Sequence, residues 1–415
     1  MRIAHLGVEI VPSGNGAFVG GLVKNVATLG AAQVGRGHEV HIFTTDVRGR
    51  LFDGQALSYG RVHRIRTAGE YGSLLFAATF LAGAAREIRR VHRDTAFDLI
   101  HVHSAYASLG LVASSLRRLG VPLAFSLYSP NFRGRPGHDC NGSQTIVGRT
   151  LSRRSLRSFG ATIVPSRNLQ SRVVRLGLAA DRVSRIPPAV DPRMFEALPT
   201  REESRSRLGL PADAPIVLFL GNYSPWKGVE NLLRAMGEVH RGRPDALLVT
   251  AWGEPYEWVG NRRTEVLTLI HSLSLDSSVH QVGIVDDVRV LLRAADLLVS
   301  PFECTCKVLD YPLSILEAMA CERPVISTAV GGIPEVLDGG ERGVAVAPKE
   351  PGRLAEAILG LLRDPRKAEA IGMNGAQWAR ENARPAAVVA ALDSLYEDLC
   401  RRGESHGPGR RTNRS

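Results

Sequence analysis

Cysteine is scarce: five in 415 residues do not make a disulfide framework, and they read as reduced, buried or incidental thiols of a cytoplasmic protein. Cys304-Thr305-Cys306 has no second Cys or His pair at zinc spacing, and Cys140 and Cys400 stand alone, so no metal site is expected. Long apolar runs are also missing. The longest, residues 73–85, is too short to span a bilayer. Its continuation is basic (Arg86, Arg89, Arg90, Arg93), which suits the solvated end of a domain helix or, alternatively, a helix lying on a membrane surface. No signal-peptide pattern precedes the first apolar strand. Aromatics make up only 6%, and no block interleaves them with basic residues as single-strand nucleic-acid binders do. The net charge of +11 therefore points away from nucleic acid and toward anionic small molecules or a membrane surface.

What is present is an ordinary globular composition, 44% hydrophobic and 22% charged, in a chain too long for one core. Short apolar runs alternate with helical patterns from end to end, the mark of parallel α/β sheets. Strands are predicted at residues 3–7, 40–44, 99–103, 123–127, 162–165 and 183–186, and a helix over 22–34 with Leu22, Val26 and Leu29 on one face. The charged, Pro-bearing stretch 200–215 reads as a linker. A second series follows at 216–221, 247–250, 279–282, 297–300, 325–327 and 344–346. The expected fold is α/β: two doubly wound, Rossmann-like domains, residues 1–200 and 201–399, followed by a disordered basic tail, 400–415. Such domains bind ligands at the carboxyl ends of their strands.

Several motifs fall at those ends. In Asp310-Tyr311-Pro312-Leu313-Ser314, a helix starting near Pro312 leaves the Leu313 and Ser314 N–H groups free for a diphosphate. Glu317 lies one turn further in, within reach of sugar hydroxyls. Gly221-Asn222-Tyr223-Ser224-Pro225-Trp226-Lys227-Gly228 closes the first strand of the second series and presents a lysine to the same region. Gly20-Gly21 forms a small-residue turn before the first helix, without the G-x-G-x-x-G of a nicotinamide site. Alternation puts His101 and His103 on one strand face, with no further His or Cys nearby to complete a metal site. Gly283-Ile284 ends another strand, and Gly331-Gly332-Ile333-Pro334-Glu335 permits close backbone approach to a ligand.

In this order the motifs resemble the retaining glycosyltransferases of family four, over residues 1 to about 399. The family carries a Glu, seven residues, a second Glu, then "EAMA", a strand and a Gly-Gly loop. Glu317 matches the second Glu. The resemblance implies the two-domain GT-B architecture, the last helix packing back on the first domain, and a nucleotide-sugar donor site in the second. Lys227 and the Leu313 and Ser314 amides would then hold the diphosphate, Glu317 the ribose, and Gly283-Ile284 the base, with Gly20, Gly21, Asn222 and Tyr311 also on the donor. Tyr128 and Asp310 or Glu303 would orient the hexose. His103 falls in the cleft, and Arg133 in an acceptor lid over residues 130–145. Three positions depart from the family: Asn222 stands for an Arg, Leu309 for the first Glu, and Tyr128 for a His. For the missing Glu, spacing favours Asp310 and strand context favours Glu303. No cofactor or metal is implied beyond the nucleoside diphosphate sugar, and the partners are donor, acceptor and a peripheral membrane contact. The expected activity is metal-independent, retaining transfer of a hexose from a UDP- or GDP-sugar to a small or lipid-linked acceptor. The alternatives are an epimerase or hydrolase on the same scaffold, or a degenerate relative that binds without turnover.

Overall fold

The computed structural model describes residues 1–8, 10, 20–45, 56–70, 73–104, 111–129, 146–251, 262–283, 285–305 and 307–406. The chain divides into two compact units, Met1–Ala189 with Pro385–Ser415, and Val190–Arg384.

The first unit is built on eight strands: β1 (Arg2–Gly7), β2 (Glu39–Thr45), β3 (Ala56–Leu57), β4 (Gly60–Ile65), β5 (Leu99–Ser104), β6 (Leu123–Leu127), β7 (Ala161–Val164) and β8 (Val183–Arg185). Their order is β3-β4-β2-β1-β5-β6-β7-β8, parallel except for β3 against β4. Both faces are covered, which is why β5 is buried at all six positions and reads as a continuous run. One face packs on the helix Leu74–Thr95 through Phe80, Ala84 and Ile88. The other packs on the last helix, Pro385–His406, through Val388, Val389, Leu392 and Tyr396. Each large apolar side chain buried there contributes about 1.5–3 kcal/mol. The predicted basic tail begins inside this helix, which carries Leu399 into the core and runs on to His406; residues 407–415 lie outside the described residues.

The second unit holds a wholly parallel sheet: β9 (Ile216–Leu220), β10 (Leu247–Ala251), β11 (Val279–Val282), β12 (Leu297–Ser300), β13 (Val325–Thr328) and β14 (Val344–Val346), in the order β11-β10-β9-β12-β13-β14. The stretch 200–215, expected as a linker, opens with the helix Arg201–Leu208, started by a capping box in which Thr200 and Glu203 bond each other's backbone N–H. Residues 190–199 also belong to this unit, because the Val190 N–H donates to the Ala383 carbonyl at 2.9 Å and Met194 packs on Cys321.

Two strands escaped the sequence reading. In β4 the alternation is masked by Arg61, His63 and Arg64, and β3 has only two residues. Cys304 is disulfide-bonded, against the expectation of reduced thiols, whereas Cys321 and Cys400 are free. Among the described residues no helix is long and apolar enough to cross a membrane.

Candidate active site

The loops at the carboxyl edge of the second sheet converge within one unit. Beyond β9 the chain makes the turn Gly221–Gly228. Gly221 has a positive φ of 143°, and a Cβ on it would stand 3.4 Å from Nζ of Lys227, so the lysine lies along bare backbone. Gly228, at φ 72°, approaches Pro301 so closely that a Cβ would come within 1.9 Å of the Pro301 carbonyl oxygen. That contact, and the Glu303 N–H donating to the Trp226 carbonyl at 2.9 Å, tie the loop after β9 to the loop after β12.

Lys227 is half-buried, with its Nζ 4.7 Å from the centre of the Phe302 ring. Burial pushes its pKa down to about 8. No carboxylate among the described residues pairs with it. Asn222 does not face such a ligand with its carbonyl: Oδ1 accepts from the Ser224 N–H at 3.3 Å and closes the turn.

The helix Leu313–Ala320 starts with Pro312 at its N-cap, one position earlier than the first helical residue, and no side chain caps it. Ile315 and Leu316 both donate to the Pro312 carbonyl. The N–H groups of Leu313 and Ser314 precede the first intrahelical bond and point out of the helix start. Glu317 sits one turn in and is 6% exposed. Tyr311 is 4% exposed with its ring edge-on to Trp378 at 6.1 Å, a packing role rather than an open donor contact.

The two candidates for the missing glutamate differ. Asp310 is fully buried, and its Oδ1 accepts from the Thr305 hydroxyl at 2.8 Å. A Cβ on Gly331 would come within 2.4 Å of that same oxygen, so Gly331 is the residue that lets the β13 loop close on it. Glu303 is half-buried and accepts from Asn231 Nδ2 at 3.1 Å, with Lys349 Nζ 3.4 Å away. Only Glu303 keeps access to solvent. Gly283 follows β11 and is exposed, with open space where a Cβ would stand.

Gly20, Gly21, His103 and Tyr128 belong to the first unit. Gly20, at φ 99°, is the N-cap of the helix Gly21–Gly35. His103 and Tyr128 are buried in a hydrogen-bonded chain that the sequence did not reveal. Contrary to expectation, a third histidine does join His101 and His103: His5, opposite His101 across the β1–β5 pairing, brings ring nitrogens of all three within 4.8 Å. Their ring nitrogens are already engaged. His5 Nε2 meets Gln33 Oε1 at 2.7 Å and Nδ1 meets His103 Nε2 at 2.7 Å; His103 Nδ1 meets the Tyr128 hydroxyl at 2.9 Å. His101 meets Tyr396 and Ser126.

Gln33 Oε1 only accepts, which fixes each proton in turn. His5 carries its proton on Nε2, so its Nδ1 accepts from His103 Nε2. His103 Nδ1 then accepts from Tyr128, whose oxygen accepts from Asn25 Nδ2 at 3.1 Å. Burial pushes His5 down to about 4, with His101 and His103 well below their ordinary value, and it raises Tyr128 to about 12. The trio is a neutral, saturated network. Arg133 and Ile284 lie outside the described residues.

Both halves of the chain match family models, "Glycosyltransferase Family 4" over residues 19–193 and "Glycosyl transferases group 1" over residues 200–378. The chain is 30% identical over 421 residues to D-inositol 3-phosphate glycosyltransferase 2 of Catenulispora acidiphila, covering 96% of each. It is 30% identical over 250 residues to a GDP-mannose-dependent alpha-(1-6)-phosphatidylinositol monomannoside mannosyltransferase of Mycolicibacterium smegmatis, covering 59% of this chain and 64% of that one. Its fold matches sucrose-phosphate synthase from Thermosynechococcus elongatus with a TM-score of 0.82 at 25% identity, covering 97% and 99% of the two chains. The chain belongs to glycosyltransferase family 4 and has the GT-B class of fold. It is a glycosyltransferase.

Proposed function

We propose that the protein transfers a hexose, with retention, from a UDP- or GDP-sugar to a hydroxyl of a phosphorylated cyclitol or a related lipid-linked acceptor. The observation that carries this is Lys227: a half-buried cation that no carboxylate among the described residues pairs with, on the sheet edge from which the helix Leu313–Ala320 starts. An ammonium and two free backbone donors are what a departing diphosphate requires. Glu317 then holds the ribose, and Glu303 rather than the buried Asp310 is the carboxylate left to orient the hexose. The bond from the anomeric carbon to the phosphate oxygen breaks as the acceptor oxygen bonds on the same face. The acceptor proton passes to that leaving phosphate oxygen. The protein's part is positioning and charge stabilisation.

The acceptor falls to the first unit, and the acceptor class is suggested by relatives of the chain that include a D-inositol 3-phosphate glycosyltransferase and a phosphatidylinositol monomannoside mannosyltransferase. Leu74, 90% exposed, and Leu75, 57% exposed, at the start of the Arg-bearing helix support peripheral contact with a membrane. The diphosphate contacts named are all protein donors, so transfer is expected to survive chelation. A thermal-shift screen of UDP- and GDP-sugars, followed by product analysis with inositol phosphate in EDTA, tests this reading. Stabilisation by one nucleotide family and a product of retained configuration support it. Donor hydrolysis alone, or activity restored only by magnesium or manganese, contradicts it.

A further inference from the structure

The second unit holds a cavity of about 450 Å³ at the sheet edge where its strands begin. Pro215 precedes β9, Leu297 opens β12 and Pro324 precedes β13, so the cavity lies at the amino ends of three parallel strands. Lys227, Phe302 and Glu303 all follow the carboxyl ends of β9 and β12. A ligand here is therefore not the donor sugar nucleotide. The volume is that of a small-molecule site, which runs from about 300 to 1,000 Å³.

One wall is cationic. Asp296 serves two guanidinium groups, Arg201 at 3.0 Å and Arg205 at 2.9 Å. Glu322 serves another two, Arg293 at 3.3 Å and Arg380 at 3.0 Å. Arg323, half-buried, donates Nε and Nη1 to the carbonyls of Cys321 and Ala295, and the carboxylates whose charge reaches it are the same Asp296 and Glu322 that the other four guanidinium groups already share. Burial and the neighbouring Arg293 charge outweigh those two carboxylates and push its pKa down to about 10. In addition, Nε of Arg201 is buried without a hydrogen-bond partner. Asp213 and Glu369 also line the cavity, but both are exposed, where solvent screens them. The other wall is apolar, with Leu361, Leu362, Ala368 and Met373, the last 47% exposed.

We propose that this cavity binds a small organic anion, its carboxylate or phosphate-ester head on Arg323 and Arg201 and its apolar body against Leu362 and Met373. The planar guanidinium fork matches both head groups. The head adds negative charge where five guanidinium groups share Asp296 and Glu322, and the body covers methionine surface now facing water. The class is defined by this pairing: inorganic anions lack the body, and neutral aromatics lack the head.

Calorimetric titration of the full chain with phenyl phosphate tests this, with inorganic phosphate and benzyl alcohol as controls. Arg323→Gln and Met373→Glu are each expected to weaken phenyl phosphate binding about tenfold or more; Met373→Glu does so at unchanged melting temperature without ligand, whereas Arg323→Gln, which also loses its bonds to the Cys321 and Ala295 carbonyls, melts earlier. Lys227→Ala is expected to leave it unchanged, which separates this site from the donor site. The two controls are expected to bind at least about tenfold more weakly. The proposal is overturned if phenyl phosphate does not bind at about 10 mM, where even a millimolar site is filled. It is equally overturned if Lys227→Ala removes binding that Met373→Glu leaves intact.

Discussion

The ammonium of Lys227 lies over the face of Phe302, 4.7 Å from the ring centre, with the bare backbone of Gly221 beside it. The aromatic face favours the cation, while burial disfavours it, and burial wins: the pKa falls to about 8. The lysine therefore changes charge close to neutrality unless an anion joins it.

A pH dependence of nucleotide binding follows. As pH rises through about 8, free Lys227 loses its proton, whereas the diphosphate-bound form retains it. Affinity for UDP or GDP is expected to fall by up to about tenfold per pH unit above that point, and Lys227→Met to abolish the dependence. Equal affinity at pH 7 and pH 9.5 would remove Lys227 from the diphosphate.

Much of this edge was legible in the sequence, because it rests on local signals. An apolar strand followed by Gly, Pro and Lys fixes the loop after β9, and Pro312 ahead of Leu313–Ala320 fixes a helix start. Burial was not legible. Asp310 and Glu303 look alike in one dimension, and only the closure of Gly331 on Asp310 and Thr305 separates the enclosed carboxylate from the open one. The histidine chain was hidden for a related reason. His5 and His103 are 98 positions apart, and only strand pairing makes them neighbours.

That chain has a consequence for acid stability. His5, His101 and His103 are held below the unfolded value near 6.5, so their contribution is complete above that pH. It is lost as pH falls toward their folded values, about 4 for His5, since the unfolded chain takes up protons the folded one refuses. Each histidine is expected to cost about 1.4 kcal/mol per pH unit in that window. Urea midpoints between pH 7.5 and 5 measure the slope, and His5→Gln should reduce it by about one proton. An unchanged slope in the variant would place His5 outside the titrating network.

Glu317 separates ribose binding from internal structure. If it grips the ribose, Glu317→Gln turns a charge-assisted bond into a neutral one, and nucleotide affinity falls by about 1 kcal/mol without vanishing. A buried carboxylate bonded only within the protein would behave differently. The variant would melt earlier while its nucleotide affinity stayed the same.

The site at Lys227 and the helix Leu313–Ala320 is tested most directly by calorimetric titration of UDP and GDP into the wild-type protein and Lys227→Ala at pH 7. At least one nucleotide is expected to bind, with affinity reduced roughly tenfold to hundredfold in the variant at an unchanged melting temperature. The same variant should turn over about two to three orders of magnitude more slowly. Binding equally strong in both proteins would contradict the account.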